Sequence, residues 1–96
     1  MRVSNINGIS DDTCKCGSWL NHWKKFSGRS PPTFCPQLRC VQRPAMGAHV
    51  QKGNSGDSNW YIVPLCTTHN GKKGQSLAIC DSVKLVSANV SETCGK

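Results

Sequence analysis

Apolar residues recur at helical spacing in one short stretch. Trp19, Leu20, Trp23 and Phe26 fall on one stripe among polar neighbours, which predicts an amphipathic helix over 19–27. Ser18 offers a capping oxygen at its start, and Gly28 a stop at its end. Lys24 and Lys25 sit late in the helix, where they suit its dipole. His22 lies between the two tryptophans, off the stripe so drawn, and is expected to face solvent. Met46–Lys52 and 60–65 have strand character, and the second is apolar on both sides and so expected to be buried. Gly, Asn, Ser and Asp fill 53–58 between them, which predicts a β-hairpin with a long loop. Pro64 places the end of the second strand at an edge or bulge. Two further strands are expected at 76–80 and 83–87, parted by Asp81-Ser82. Residues 1–13 are polar without period; Asp11-Asp12-Thr13 is expected to be loop or strand edge, and the start of the chain mobile.

Between helix and hairpin, Ser30-Pro31-Pro32 demands an extended linker. It delivers the chain to Cys35-Pro36-Gln37-Leu38-Arg39-Cys40, a tight turn. After the hairpin comes Cys66-Thr67-Thr68-His69. Two close pairs of soft or borderline ligands, Cys35 with Cys40 and Cys66 with His69, are what a tetrahedral zinc ion requires. A helix is expected over 66–73, capped by Thr67 or Thr68 and shortened by Gly71 and Gly74. Knuckle, hairpin and ligand-bearing helix together describe a treble clef. The expected fold is a single α+β domain over 1–96. Its zinc-stabilised ββα core unit spans 35–73, with a short helix before it and further strands after it.

Composition sharpens this picture. Ninety-six residues with 36% hydrophobic content bury a thin core, and small domains of that kind often add a staple. Seven cysteines supply one. No secretory leader and no membrane-length apolar run is visible, so a cytoplasmic protein with reduced thiols and no membrane contact is expected. That favours zinc over disulfides. A disulfide-stapled secreted protein is the competing reading, with the sequon Asn89-Val90-Ser91 formally on its side. Twelve Lys+Arg against five Asp+Glu give a formal charge of +7. Nucleic acid is the commonest partner of such a chain; plain solubility is the bland alternative, and a protein partner is also open.

His49 on the first hairpin strand, Asn59 near the start of the second, then Leu65-Cys66-x-x-His69-Asn70 and Lys72-Lys73 resemble the HNH, or His-Me finger, endonucleases. The resemblance covers 35–73. It implies His49 as general base on a water that attacks a phosphodiester, with Asn59 orienting its ring. It implies Asn70 as ligand to a catalytic Mg²⁺ or Mn²⁺ ion beside the structural zinc. Lys52, Lys72 and Lys73 would hold nucleic-acid phosphates, and Arg39 and Arg43 are candidates for the same contact from the chain's basic charge. The chain departs from that family at Ala48, where an acidic residue or second His often stands, and in its Cys-x4-Cys and Cys-x2-His pairs. Without catalysis, His49 is a packed strand histidine or a spare zinc ligand. The chain is then a zinc-finger module that binds nucleic acid or protein. The wider pattern Cys-x-Cys-Gly-Ser-Trp, Gly-Ala-His-Val and Trp-Tyr-Ile-Val-Pro-Leu-Cys resembles small bacterial proteins to which no activity is attached.

Cys14 and Cys16, with Cys94, form a candidate second metal or thiol cluster, which Cys80 or His22 could complete. They could also replace Cys35 or Cys40 at the first site. Cys80, in its apolar run, is expected to be a packed thiol.

Overall fold

The computed structural model describes residues 2–6, 18–52, 59–70 and 74–88. It is a mixed α+β fold. The elements are β1 (Arg2–Asn5), α1 (Trp19–Ser27), β2 (Met46–Lys52), β3 (Tyr61–Leu65), α2 (Thr67–Asn70), β4 (Ser76–Ala78) and β5 (Val86–Ser87). The strands form one five-stranded sheet in the order β4-β1-β2-β3-β5, every pair antiparallel.

The helix α1 forms as its sequence dictates. The Ser18 hydroxyl accepts from the Asn21 backbone N–H, 3.1 Å away, which satisfies one of the donors orphaned at a helix start. Gly28 closes the other end at φ 68°, a left-handed conformation that suits glycine, and donates its N–H to the Lys24 carbonyl.

Hairpin β2–β3 is the centre of the sheet, with Ala48 opposite Val63, His49 opposite Ile62 and Val50 opposite Tyr61. Alternation along β2 sends successive side chains to opposite faces. Ala48 and Val50 join Val3, Val63, Leu65, Leu77 and Ile79 in one buried cluster, which also includes Cys35 and Cys66. Gly47 and His49 face α1, where Trp23, Ile62 and Val86 form a second cluster. The sheet thus separates a helix layer from a cysteine-bearing layer.

Three expectations are corrected. The start of the chain, expected to be mobile, holds a strand: residues 2–5 form β1, which lies inside the sheet between β4 and β2, while Asp11-Asp12-Thr13 lies outside the described residues. His22 is not solvent-facing but fully buried. Positions 19, 22, 23 and 26 share one helical face, so His22 belongs to the apolar stripe after all. Its Nε2 donates to the Ser87 carbonyl at 2.8 Å, and Trp23 Nε1 donates to the Lys84 carbonyl at 2.7 Å. Together they tie α1 to the β5 segment. Finally, the late elements are shorter than expected. β4 ends at Ala78, and β5 holds only Val86 and Ser87. Pro64 lies beyond Tyr61 and Ile62, the residues that β5 pairs, as a residue without an N–H should.

Candidate metal centre

The turn containing Cys35 and Cys40 is closed by its own backbone. Cys35 N–H donates to the Gln42 carbonyl at 2.7 Å, and Cys40 N–H to the Gln37 carbonyl at 3.0 Å. The turn is also stitched to the β4 segment: Leu38 N–H donates to Ala78 and Cys80 N–H to Pro36, each at 2.9 Å. The second ligand pair is set by α2, described over Thr67–Asn70; residues 71–73 of the expected helix lie outside the described residues. Cys66 stands immediately before α2. The Cys66 sulfur accepts from the His69 backbone N–H at 3.4 Å. Cys66 therefore takes the capping role expected of Thr67 or Thr68. The Thr68 hydroxyl instead reaches the Gln42 side chain at 3.4 Å.

Cys35, Cys40, Cys66 and His69 each point one ligand atom inward, and those atoms lie within 4.8 Å of one another. Cys35 Sγ is 3.6 Å from His69 Nδ1, Cys40 Sγ is 3.9 Å from Cys66 Sγ, and Cys66 Sγ is 3.1 Å from His69 Nδ1. A tetrahedral zinc with ordinary Zn–S and Zn–N bonds holds its donors roughly 3.5–3.8 Å apart. The first two separations are close to that, and the third is tighter. Cys35, Cys40, Cys66 and Cys80 carry free thiols, so no disulfide competes for the knuckle sulfurs. The donor set, three sulfurs and one imidazole nitrogen, is that of a closed structural site.

Electrostatics distinguish the two buried thiols. Burial pushes Cys35 up to about 11, against weaker opposition from hydrogen bonds. Burial also acts to raise Cys66. There the His69 N–H, the thiols of Cys35 and Cys40 and the Thr68 backbone outweigh it and hold the group below its ordinary value. Cys66 is thus readier than Cys35 to ligate as a thiolate.

One contributor was invisible in the sequence. Asn5 on β1 is fully buried, and its side-chain amide donates to the His69 carbonyl at 2.9 Å. Nothing about an Asn near the N-terminus signals that role. Gln42 holds both halves of the site, and only its closeness to Cys40 in sequence could have pointed to it.

Of the other expected site residues, His49 is not gathered at this centre. His49 lies on the opposite face of the sheet, 4% exposed. Its ring meets Trp19 edge-on at 4.6 Å and Trp60 at 6.1 Å between centroids. Asn59 is exposed and precedes Ile62, the residue opposite His49, by three positions. Asn70 ends α2; its side chain lies outside the description. Lys52, Arg39 and Arg43 are exposed, and the Lys52 ammonium lies 5.1 Å from the Tyr61 ring centroid. Cys14, Cys16, Cys94, Lys72 and Lys73 lie outside the described residues. No helix among the described residues is long and apolar enough to cross a membrane.

Comparison with protein-family models, curated proteins and solved structures finds no match to this chain. The site therefore stands on its own geometry.

Proposed function

We propose that this chain is a zinc-stabilised module that binds nucleic acid without cutting it. The observation that carries the reading is where the charge lies. Between Thr13 and Gly56 the sequence holds seven Lys or Arg residues and no Asp or Glu. The metal knuckle lies within that stretch. Lys24, Lys25, Arg29, Arg39, Arg43 and Lys52 are all exposed. The zinc would fix the knuckle against the sheet, and so fix the cations it carries. A polyanion that displaces counterions is the partner such a surface selects.

The setting of His49 supports binding over cleavage. A general base needs the attacking water within hydrogen-bond reach, and this imidazole is packed between two indoles. The reading gives no part to a Mg²⁺ or Mn²⁺ ion.

Two assays test it. Affinity for a labelled oligonucleotide should fall steeply with salt, with a log–log slope of about −3 if four or so cations meet phosphates. Supercoiled plasmid should stay intact with Mg²⁺ or Mn²⁺. Salt-independent binding would reject the reading. Nicking that disappears in His49→Ala would restore the endonuclease.

A further inference from the structure

The knuckle presents more than cysteines. Phe34 is 52% exposed, Leu38 50% and Val41 76%, three of the five large apolar side chains exposed among the described residues. Phe34 precedes Cys35, Val41 follows Cys40, and Leu38 lies between the two cysteines. Their exposure is held in place, because four backbone hydrogen bonds close the turn and fasten it to β4 and Cys80. At its tip, Arg39 adopts φ 67°, and it is the non-glycine residue with positive φ among those described. Glycine would take that conformation without strain. The chain instead keeps a long cation there, with Arg43 also exposed nearby.

A partner for this loop must offer flat apolar faces and negative charge together. A duplex offers charge outside but keeps its base faces stacked. Unpaired bases turn those faces outward, where aromatic and aliphatic side chains can cover them. A bilayer also combines the two features. However, about half the surface of Phe34 and of Leu38 is already covered, which suits contact with a base face better than burial in acyl chains. Resting on the nucleic-acid reading above, we propose that the knuckle loop, residues 34–43, is a single-strand binding surface. Phe34, Leu38 and Val41 cover unpaired bases, and Arg39 and Arg43 hold the adjoining phosphates.

The test compares zinc-loaded protein on a labelled single strand of about twelve nucleotides, the same sequence as a duplex, and phosphatidylcholine vesicles carrying phosphatidylserine. Variants are Phe34→Ala, Leu38→Ser and Arg39→Gly, each checked for full zinc content and unchanged circular dichroism. The single strand should bind at least roughly tenfold tighter than the duplex, and Phe34→Ala or Leu38→Ser should weaken it roughly fivefold or more while leaving duplex binding unchanged. Arg39→Gly should raise the melting temperature and still weaken the single strand, because it relieves strain and removes a cation. Equal binding of both nucleic acids, indifferent to these variants, overturns the loop assignment and leaves the broader reading standing. Preference for vesicles overturns the loop assignment in favour of a membrane partner. Failure to bind any nucleic acid at low salt removes the broader reading, and this one with it.

Discussion

The side-chain amide of Asn5 donates to the carbonyl of His69 across 2.9 Å, so the first strand of the sheet helps to position a ligand of the metal site. Asn5 pairs with Val50 in the β1–β2 ladder, which places its side chain on the cysteine-bearing face. Its neighbours there are apolar, and a buried polar group without its bond is costly. Asn5→Leu keeps the branched heavy-atom shape and removes the donor. It should cost about 1–3 kcal/mol in urea unfolding and speed zinc loss to a chelator, because the backbone that carries His69 loses a tether. Wild-type stability together with wild-type zinc release would show that the bond is incidental.

Gly47 sets the distance between helix and hairpin. A Cβ at that position would stand 2.6 Å from both Leu20 N and Trp19 O. These are backbone atoms and cannot swing aside. Gly47→Ala should therefore push α1 off β2 and destabilise the fold by about 1–3 kcal/mol or more, with changed near-ultraviolet dichroism from Trp19. A variant as stable as the parent would mean that the helix seats less closely than described.

His22 tests the corrected helix face. With its Nε2 on the Ser87 carbonyl and its ring 5.0 Å from those of Trp19 and Phe26, it acts as a polar pin within the helix layer. His22→Phe preserves the ring packing and leaves that carbonyl without the imidazole donor. A loss of about 1–3 kcal/mol in denaturant unfolding is expected. Tolerance of this change, with no loss, would place His22 back at the surface.

Zinc affinity should climb with pH. With its pKa raised to about 11, Cys35 keeps its proton through neutral pH in the metal-free protein. Zinc takes the thiolate, so binding must release that proton. The sign follows: each proton released makes affinity rise about tenfold per pH unit below the pKa, and fall by as much toward acid. The lowered Cys66 gives up its proton more readily and contributes less of this slope. Competition with a chromophoric chelator between about pH 6 and pH 8 measures it. A flat profile would mean that the thiols do not bind the ion.

Much of this was legible because the signals are local. Ser18, the aromatic stripe and Gly28 specify α1 within one short segment, and the ligand pairs Cys35–Cys40 and Cys66–His69 are each close in sequence. What escaped is what only tertiary contact decides. β1 has a single large apolar residue, Val3, so no period of two marks it; it is a strand because β2 and β4 pair with it on both sides. Asn5 owes its role to that placement. His22 escaped differently. Its spacing from Trp19 and Phe26 puts it on the buried face, while its polar residue type points to solvent; the Ser87 carbonyl, which only the fold brings near, decides between them. The face that His49 takes is likewise decided by the pairing of β2 and β3, which turns its ring toward Trp19 on α1.

The central claim is one ion held by Cys35, Cys40, Cys66 and His69. X-ray absorption at the zinc edge, on protein loaded with one equivalent of zinc, measures that coordination shell directly. The account predicts three sulfurs near 2.3 Å and one imidazole nitrogen at about 2.0–2.1 Å. A shell of oxygen and nitrogen alone, four sulfurs without imidazole, or protein that retains no zinc would contradict it.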